Sequence, residues 1–294
     1  MLTETTAVDV ADGWRVWVES AGPANGVPLL VHAGHPGSRR LFRPSVERAA
    51  GHGFRLVSYD RPGFGDSPLR PGRTVADSAV EVEAIARHLR ADRLGVWGYS
   101  GGGPFVLASA ALLPGLVAGC CVFASLAPYD ADGLDFAAGW SEAYRREVEL
   151  FFEDRGTARE HFRVEAAEQF AVLGSAQGWS DRWGDAAGTD AAHSREVAQY
   201  LAGVQQDCLG HGDDGWWEDW AALLSPWGFD VARIEVPVQL WHGEKDVSAP
   251  PSHGHWLAER IFGLDAHFPD QDDHASIETD HQQEAYEWLR QRVS

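Results

Sequence analysis

The feature that most constrains the fold is the segment 94–129, which contains no charged residue. Its length alone would allow it to cross a membrane. It is interrupted, however, by Gly98, by the glycines at 101–103 with Pro104, and by Pro114 with the glycine after it. These breaks divide the segment into strand, turn, helix, turn and strand. Strands buried on both faces of a parallel sheet form such continuous apolar runs, so we interpret this segment as the centre of the fold.

Strand patterns alternate with helix patterns on both sides of this segment. The first two strands form an antiparallel pair joined at Asp12-Gly13. Alternation of this kind predicts an α/β fold with a mostly parallel central sheet of about eight strands, flanked by helices. The predicted strands are residues 6–10, 14–19, 27–32, 54–59, 93–97, 116–124, 236–241 and 266–268, and the predicted helices include 41–51, 74–89, 102–113 and 282–290.

Composition and charge narrow the classes of partner. The chain of 294 residues is 44% hydrophobic and 23% charged, as in globular proteins. Its net charge of −20 would repel nucleic acid and anionic membrane surfaces, so we expect a small-molecule substrate, no nucleic acid and no membrane. Nothing in the sequence specifies an oligomeric state.

The cysteines point to a reducing compartment. Cys120, Cys121 and Cys208 form no plausible disulfide framework and have no CxxC metal spacing, so we interpret them as packing residues. Residues 1–14 are acidic and lack the basic-then-apolar order of a signal peptide. We therefore expect a cytoplasmic location.

The strongest chemical signal is Gly98-Tyr99-Ser100-Gly101-Gly102, a GxSxG sequence between a predicted strand and a predicted helix. A strand-to-helix turn this sharp strains the serine backbone, and side chains at Gly98 and Gly102 would collide. The turn exposes the Ser100 hydroxyl above the sheet and places a helix N-terminus below any developing negative charge. A glycine-rich phosphate- or sugar-binding loop is the alternative interpretation.

Together with this elbow, the loop at 32–38 (HAGHPGS) and the stretch at 59–67 (YDRPGFGDS) resemble the α/β-hydrolase fold superfamily, specifically a serine-nucleophile bacterial hydrolase with an inserted cap. The resemblance spans nearly the whole chain outside the insertion and is specific for fold and mechanism. It implies a catalytic triad in the chain order Ser, Asp or Glu, His.

The resemblance places the acid at Asp246, in the loop after a late strand, and the base at His274, in the loop after the last strand. Glu244 is the competing acid. His267 and His281 are competing bases, but the first lies in a predicted strand and the second in the following helix. The family usually has glycine before the histidine, whereas Asp273 precedes it here.

By the family's plan, an oxyanion hole is formed by the backbone N–H groups of Gly101 and His35. His32 and His35 could instead merely shape a glycine-proline turn. The pairs His32/His35 and His253/His255 are not accompanied by an HExxH or HxHxDH run, and no GxGxxG follows the first strands. We therefore expect no metal and no cofactor.

The alternation of strands and helices stops for about a hundred residues. We predict an α/β-hydrolase core of residues 1–126 and 227–294 and a helical cap of residues 127–226. A crossover between parallel strands needs only a dozen or so residues, so most of this segment is not needed to connect the sheet. Because active-site loops gather at the carboxyl ends of strands, we expect the segment to form a lid over Ser100. We expect an aromatic ring of the segment to face it. The large rings there include Trp140, Phe151, Phe152, Trp179, Trp183, Trp216, Trp217 and Trp220.

These features predict a serine hydrolase that cleaves an ester, lactone or thioester of a small apolar acid through an acyl-Ser100 intermediate. The same triad also serves amide or peptide hydrolysis, C–C bond hydrolysis and cofactor-free haloperoxidase chemistry, and these alternatives stay open. Because fold does not determine function, a non-catalytic ligand-binding protein on the same fold is the alternative from another class.

Overall fold

A computed structural model describes residues 3–11, 13–178 and 191–293. Eight strands form one sheet in the order β1-β2-β4-β3-β5-β6-β7-β8, where β1 and β2 are antiparallel to their neighbours and β3 to β8 are parallel. The expected mostly parallel sheet of about eight strands is therefore confirmed. The strands are β1 (Thr3–Asp9), β2 (Arg15–Ala21), β3 (Val27–His32), β4 (Phe54–Tyr59), β5 (Leu94–Tyr99), β6 (Val117–Phe123), β7 (Val238–Trp241) and β8 (Asp265–His267).

Helices cover both faces of the sheet. One apolar core contains buried side chains of α2, α3 and α8, and the other contains those of α1 and α9. The helices are α1 (Arg43–Gly51), α2 (Ser78–Leu89), α3 (Gly103–Leu112), α4 (Glu142–Glu153), α5 (Arg155–Leu173), α6 (Ala191–Leu209), α7 (Asp214–Leu223), α8 (Pro251–Arg260) and α9 (Ser276–Arg290).

The charge-free segment forms the centre of the molecule. All seven residues of β6 are buried, as are five of the six in β5, because sheet neighbours flank both strands and helices cover both faces. Helix α3 between them is buried over its first eight residues. The apolar run therefore has no solvent-exposed face, which is why it shows no alternation.

Several boundaries differ from the sequence prediction. Helix α2 begins four residues later than expected, because Asp77 accepts hydrogen bonds from the N–H and hydroxyl of Thr74 and closes a separate turn. Helix α9 begins six residues earlier than predicted. Just before it, the Asp273 carboxylate accepts hydrogen bonds from the N–H groups of Ala275 and Ser276. Helix α8 carries mixed polar residues and was not predicted. Asp12 of the expected first turn lies outside the described residues.

Helices α4 to α7 lie between β6 and β7 in the chain, where the alternation was expected to stop. Ser141 caps α4 by accepting from the N–H of Tyr144, and Asp154 caps α5 by accepting from those of Gly156 and Thr157. Trp179 and Trp183 lie outside the described residues. Within the ranges that the structure covers, none of the helices has the length and apolar character needed to span a bilayer.

Candidate active site

Ser100 stands at the end of β5 with a backbone φ of 54°, a left-handed conformation that costs energy for any residue with a Cβ. The chain then turns directly into a short 3₁₀ segment and α3. A side chain at Gly102 would collide with the carbonyl oxygens of His32 and Ala33, and one at Gly98 with Val106. Both glycines of the predicted elbow thus occupy positions where only a hydrogen fits.

The structure brings Ser100, His274 and Asp246 together from three loops at the carboxyl ends of parallel strands. His274 Nε2 lies 3.0 Å from Ser100 Oγ, and His274 Nδ1 lies 2.7 Å from Asp246 Oδ2. A carboxylate can only accept hydrogen bonds, so Nδ1 carries the proton and Nε2 is left to accept one. This is the arrangement that a base needs in order to deprotonate a serine hydroxyl.

The second oxygen of Asp246 is held by the backbone. Asp246 Oδ1 accepts hydrogen bonds of 2.8 Å from the N–H groups of both Ser248 and Ala249. The residue is 3% exposed. Its carboxylate is therefore fixed in orientation, with Oδ2 directed at the imidazole of His274.

The competing acid and bases are engaged elsewhere. Glu244 Oε1 lies 2.9 Å from Nε2 of His255. His281 bonds to Asp272 at 2.9 Å, and His267 lies 3.0 Å from Asp265. The rings of His267 and His281 both stack on the ring of Trp241, with centroid distances of 4.0 and 4.3 Å.

Asp273, which replaces the family's usual glycine, shapes the base loop. Its carboxylate accepts the N–H groups of Ser276 and Ala275, and these bonds, the one from Ser276 foremost, lower the pKa of Asp273. The departure from the family pattern thus fastens the residue before His274 to the start of α9.

His35 lies against Gly101, the other residue of the predicted oxyanion hole. A Cβ placed on Gly101 would be 2.5 Å from Cβ of His35, and one on Gly34 would be 3.7 Å from Cβ of Ser100. The loop after β3 therefore passes directly beside the serine. The imidazole of His35 points away into the protein, stacked on Trp220 at 5.7 Å and edge-on to Trp216 at 5.9 Å.

Behind this loop lies a buried ion cluster that the sequence analysis did not predict. Asp219 of α7 is fully buried, and it bonds to Arg61 at 2.6 and 2.9 Å and also to Arg73. Nδ1 of His35 lies 3.4 Å from the same carboxylate. Burial opposes ionisation of Asp219, but the two guanidinium groups outweigh it and hold its pKa well below the usual range. Arg61 belongs to the DRPGFG stretch, which in the sequence indicated only the family resemblance.

The members of the two histidine pairs have different surroundings and different hydrogen-bond partners. Burial lowers the pKa of His32 to about 3 and that of His253 to about 4, so both rings are neutral. His253 Nδ1 accepts the N–H of Ala127, whereas His255 pairs with Glu244. Among the residues that the structure places, no three His, Cys, Asp or Glu side chains are grouped so that they could hold a metal ion.

Comparisons with known proteins agree with this architecture. A non-heme chloroperoxidase of Streptomyces lividans is 26% identical over 263 residues, which cover 83% of each chain. A probable proline iminopeptidase of Streptomyces coelicolor is 33% identical over 124 residues, or 37% of this chain, and this chain spans only 36% of that protein.

Solved structures share the whole fold. A thermophilic esterase from Thermogutta terrifontis has a TM-score of 0.68 at 21% identity, covering 99% of this chain and 100% of that one. An α/β hydrolase fold protein from Nakamurella multipartita also has a TM-score of 0.68 at 21% identity, covering 98% and 99%. The sequence model of the α/β hydrolase fold matches residues 27–281. The chain therefore belongs to the α/β-hydrolase fold family.

Proposed function

We propose that this protein is a serine hydrolase that cleaves esters, lactones or thioesters of small apolar acids through an acyl-Ser100 intermediate, without a cofactor. The observation that carries the proposal is the hydrogen-bonded series from Ser100 Oγ through His274 to Asp246, with distances of 3.0 and 2.7 Å. A binding protein on this fold would have no need to hold three such side chains in line.

In the first half of the reaction, Ser100 Oγ attacks the carbonyl carbon while His274 Nε2 takes the hydroxyl proton. The carbonyl oxygen becomes an oxyanion, which the N–H groups of Gly101 and His35 stabilise. The carbon–oxygen bond to the leaving group then breaks. The departing alcohol takes the proton from Nε2, and the acid remains esterified to Ser100.

In the second half, water replaces the alcohol. His274 Nε2 removes a proton from the water as its oxygen attacks the acyl carbon, and the bond to Ser100 Oγ breaks with return of that proton to the serine. Asp246 keeps the imidazole oriented and stabilises its transient positive charge throughout. The products are one acid and the free enzyme.

The insertion supports the preference for apolar acids. We propose that residues 127–226 act as a cap over Ser100, since Leu223 and Trp220 at the end of α7 lie beside Gly101 and His35. Trp220 also contacts Trp140 at 6.2 Å. Aromatic and aliphatic walls of this kind favour an apolar acyl group over a charged one.

A second candidate is perhydrolysis, as in cofactor-free haloperoxidases. It is favoured by the 83% coverage shared with the non-heme chloroperoxidase. Here hydrogen peroxide would replace water in attacking the acyl-Ser100 and release a peracid, which oxidises halide outside the protein. Halide oxidation that needs both hydrogen peroxide and a carboxylic acid, and is lost in Ser100→Ala, would support it.

The main proposal is tested with a fluorophosphonate probe and a panel of p-nitrophenyl esters. We expect the wild type to be labelled and to turn over short-chain esters. Ser100→Ala and His274→Ala should each lower kcat by about 10³-fold or more, because triad members act as a unit. His267→Ala and His281→Ala are the matched controls and should stay active. Unlabelled wild-type protein with no turnover would favour the non-catalytic alternative.

A further inference from the structure

We propose that Arg61 is a positioning residue that orients the His35 N–H toward the substrate oxyanion, and that Asp219 of the insertion holds Arg61 in place. The inference rests on the proposed function, in which that N–H is one of two oxyanion donors. It assigns a role to a buried cation that makes no contact with the Ser100–His274–Asp246 series.

Arg61 is the centre of the buried cluster. Its side chain is 2% exposed, and its guanidinium lies over the ring of Phe105 on α3, 4.8 Å from the centroid. Nη1 donates to the carbonyl oxygen of Ala33 at 2.7 Å, and Nη2 donates to that of Gly34 at 2.8 Å. A single planar group thus bonds to two successive peptides of the loop that carries His35.

The bond to Gly34 determines where the next N–H points. The carbonyl of Gly34 and the N–H of His35 belong to the same peptide unit, which is planar, and in a trans peptide the two groups point in opposite directions. With the carbonyl held toward Arg61, the N–H is directed to the other side of the loop. The loop lies close to Gly101 and Ser100, since a Cβ on Gly101 would be 2.5 Å from Cβ of His35 and one on Gly34 would be 3.7 Å from Cβ of Ser100. We infer that the His35 N–H faces this side.

The cation also strengthens the donor. A charge-assisted hydrogen bond to an amide oxygen draws electron density from the nitrogen and makes its N–H a better donor, as in other hydrogen-bonded series. A fixed and polarised N–H is what an oxyanion hole requires, because it needs no reorganisation when charge develops.

Asp219 ties this arrangement to the insertion. Its carboxylate accepts hydrogen bonds from both Nε and Nη2 of Arg61. The remaining N–H groups of the guanidinium, on Nη1 and Nη2, donate to the two carbonyl oxygens of the loop. The partners lie 158 residues apart, and Asp219 belongs to α7. A movement of α7 would therefore release Arg61 and with it the His35 peptide.

Arg73 provides a matched control. Its side chain is also 2% exposed and donates to the same carboxylate of Asp219, whereas the two loop carbonyls are bonded by Arg61. Arg61→Gln and Arg73→Gln each remove one buried guanidinium beside Asp219. They should lower the melting temperature alike, whereas only Arg61→Gln frees the carbonyl of Gly34.

The experiment compares the two variants in ester hydrolysis and in inhibition by an alkyl trifluoromethyl ketone. Ser100 Oγ adds to the ketone carbon, the hydroxyl proton passes to His274, and the ketone oxygen becomes the bound oxyanion. Removing an oxyanion donor costs about 10²- to 10³-fold, so we expect misorientation in Arg61→Gln to lower kcat and to raise the ketone Ki by about 10- to 100-fold, with KM changed less than about twofold. For Arg73→Gln we expect changes below about threefold in all three constants, since small effects are usual away from the reacting atoms.

Arg61→Lys covers the case in which Arg61→Gln does not fold. An ammonium group keeps the charge but cannot bond to two carbonyls and a carboxylate in one plane, so the same losses in kcat and ketone affinity should appear. Wild-type kcat and Ki in Arg61→Lys, a loss confined to KM, or equal losses in Arg73→Gln would overturn the proposal.

A second measurement separates this inference from the proposed function. In protein labelled with ¹⁵N-histidine, the backbone amide resonance of His35 should shift in Arg61→Gln and stay in place in Arg73→Gln, whether or not Ser100 is a nucleophile. An unmoved resonance would refute the positioning role. A shifted resonance in a protein without esterase activity would refute the proposed function alone.

Discussion

Tyr99 is bonded to the loop that carries the candidate base: its hydroxyl donates to the carbonyl oxygen of His274 at 2.8 Å, and the two rings lie 5.0 Å apart. Burial raises the pKa of Tyr99 well above its ordinary value, so the phenol stays protonated and remains a donor. The residue next to Ser100 therefore also fixes the backbone of His274. No sequence pattern marks this residue, because the x of a GxSxG motif can be any amino acid.

We expect Tyr99→Phe to lower kcat a few-fold. The loss of one hydrogen bond costs about 1 kcal/mol, and the His274 loop would sample orientations in which Nε2 misses the serine hydroxyl. Tyr200→Phe removes a phenol–carbonyl bond to Arg40 and serves as the control. Stopped-flow acylation rates check the prediction, and equal rates in Tyr99→Phe and wild type would contradict it.

Asp246→Asn should lower kcat by about 10⁴-fold with little change in fold, because an amide in place of the carboxylate favours the wrong imidazole tautomer. Glu244→Gln is the matched change, since its carboxylate bonds to His255 and not to His274. We expect that variant to keep wild-type kcat in ester hydrolysis. The reverse pattern would move the acid role to Glu244.

Gly102→Ala should abolish activity and cost about 3 kcal/mol or more of unfolding free energy, since the new methyl group meets the backbone of the β3 loop on the side of His32 and Ala33. The backbone of His32 and Ala33 cannot move aside as a flexible side chain would. Gly115→Ala is the control, because nothing lies within 4 Å of a Cβ there, and its effect should stay within about 0.5 kcal/mol. Urea unfolding of both variants measures the difference.

Leu223→Ala should shift ester preference toward longer acyl chains. Leu223 Cδ1 lies 3.5 Å from the position of a Cβ on Gly101, so its removal opens space beside Ser100. Leu224→Ala is the control, because Leu224 is equally buried at 1% exposure. Either substitution should lower the free energy of unfolding by about 2 to 5 kcal/mol. Only Leu223→Ala should change the ratio of kcat/KM between butyrate and octanoate esters. An unchanged ratio would argue against the cap lying over the acyl group.

Glu81→Gln should change how stability depends on pH. Burial raises the pKa of Glu81 from 4.5 to about 7, so between these values the folded state binds a proton that the unfolded state does not. Wild-type stability is therefore lost as pH rises through this window, by up to about 1.4 kcal/mol per pH unit from this group. The glutamine variant has no carboxyl group to titrate at this position, so its free energy of unfolding relative to wild type should increase from pH 4.5 to pH 7 and then level off.

Chemical denaturation at pH 5, 6 and 7 measures this difference. Glu83→Gln is the control, because Glu83 lies exposed on the same helix, and its stability curve should run parallel to that of the wild type. A Glu81→Gln curve parallel to wild type would show that the buried carboxyl is ionised in the folded protein throughout this range.

The order of strands and helices and the place of the elbow could be predicted from sequence because they depend on local properties. The apolar run of β5, α3 and β6 and the glycine breaks within it act over a few residues each. Ser100, Asp246 and His274 could be named as candidates because each follows a strand pattern and matches the order of the triad that the family resemblance implies. Carboxyl ends of parallel strands meet at one edge of a sheet, so topology alone made their proximity plausible.

The remaining features of the site depend on contacts between distant parts of the chain. Glu244 and Asp246 lie in one loop and both carry a carboxyl group, and only packing directs Asp246 at His274 and Glu244 at His255. Arg61 and Asp219 are 158 residues apart, and charged side chains are mostly exposed, so no local signal places this pair in the interior. Such pairs are stable only when the rest of the fold has already excluded water and supplied both partners. The order of strands and helices and the candidate residues could thus be predicted from local sequence patterns, whereas the orientation of those residues and the buried contacts behind them depend on the packed chain.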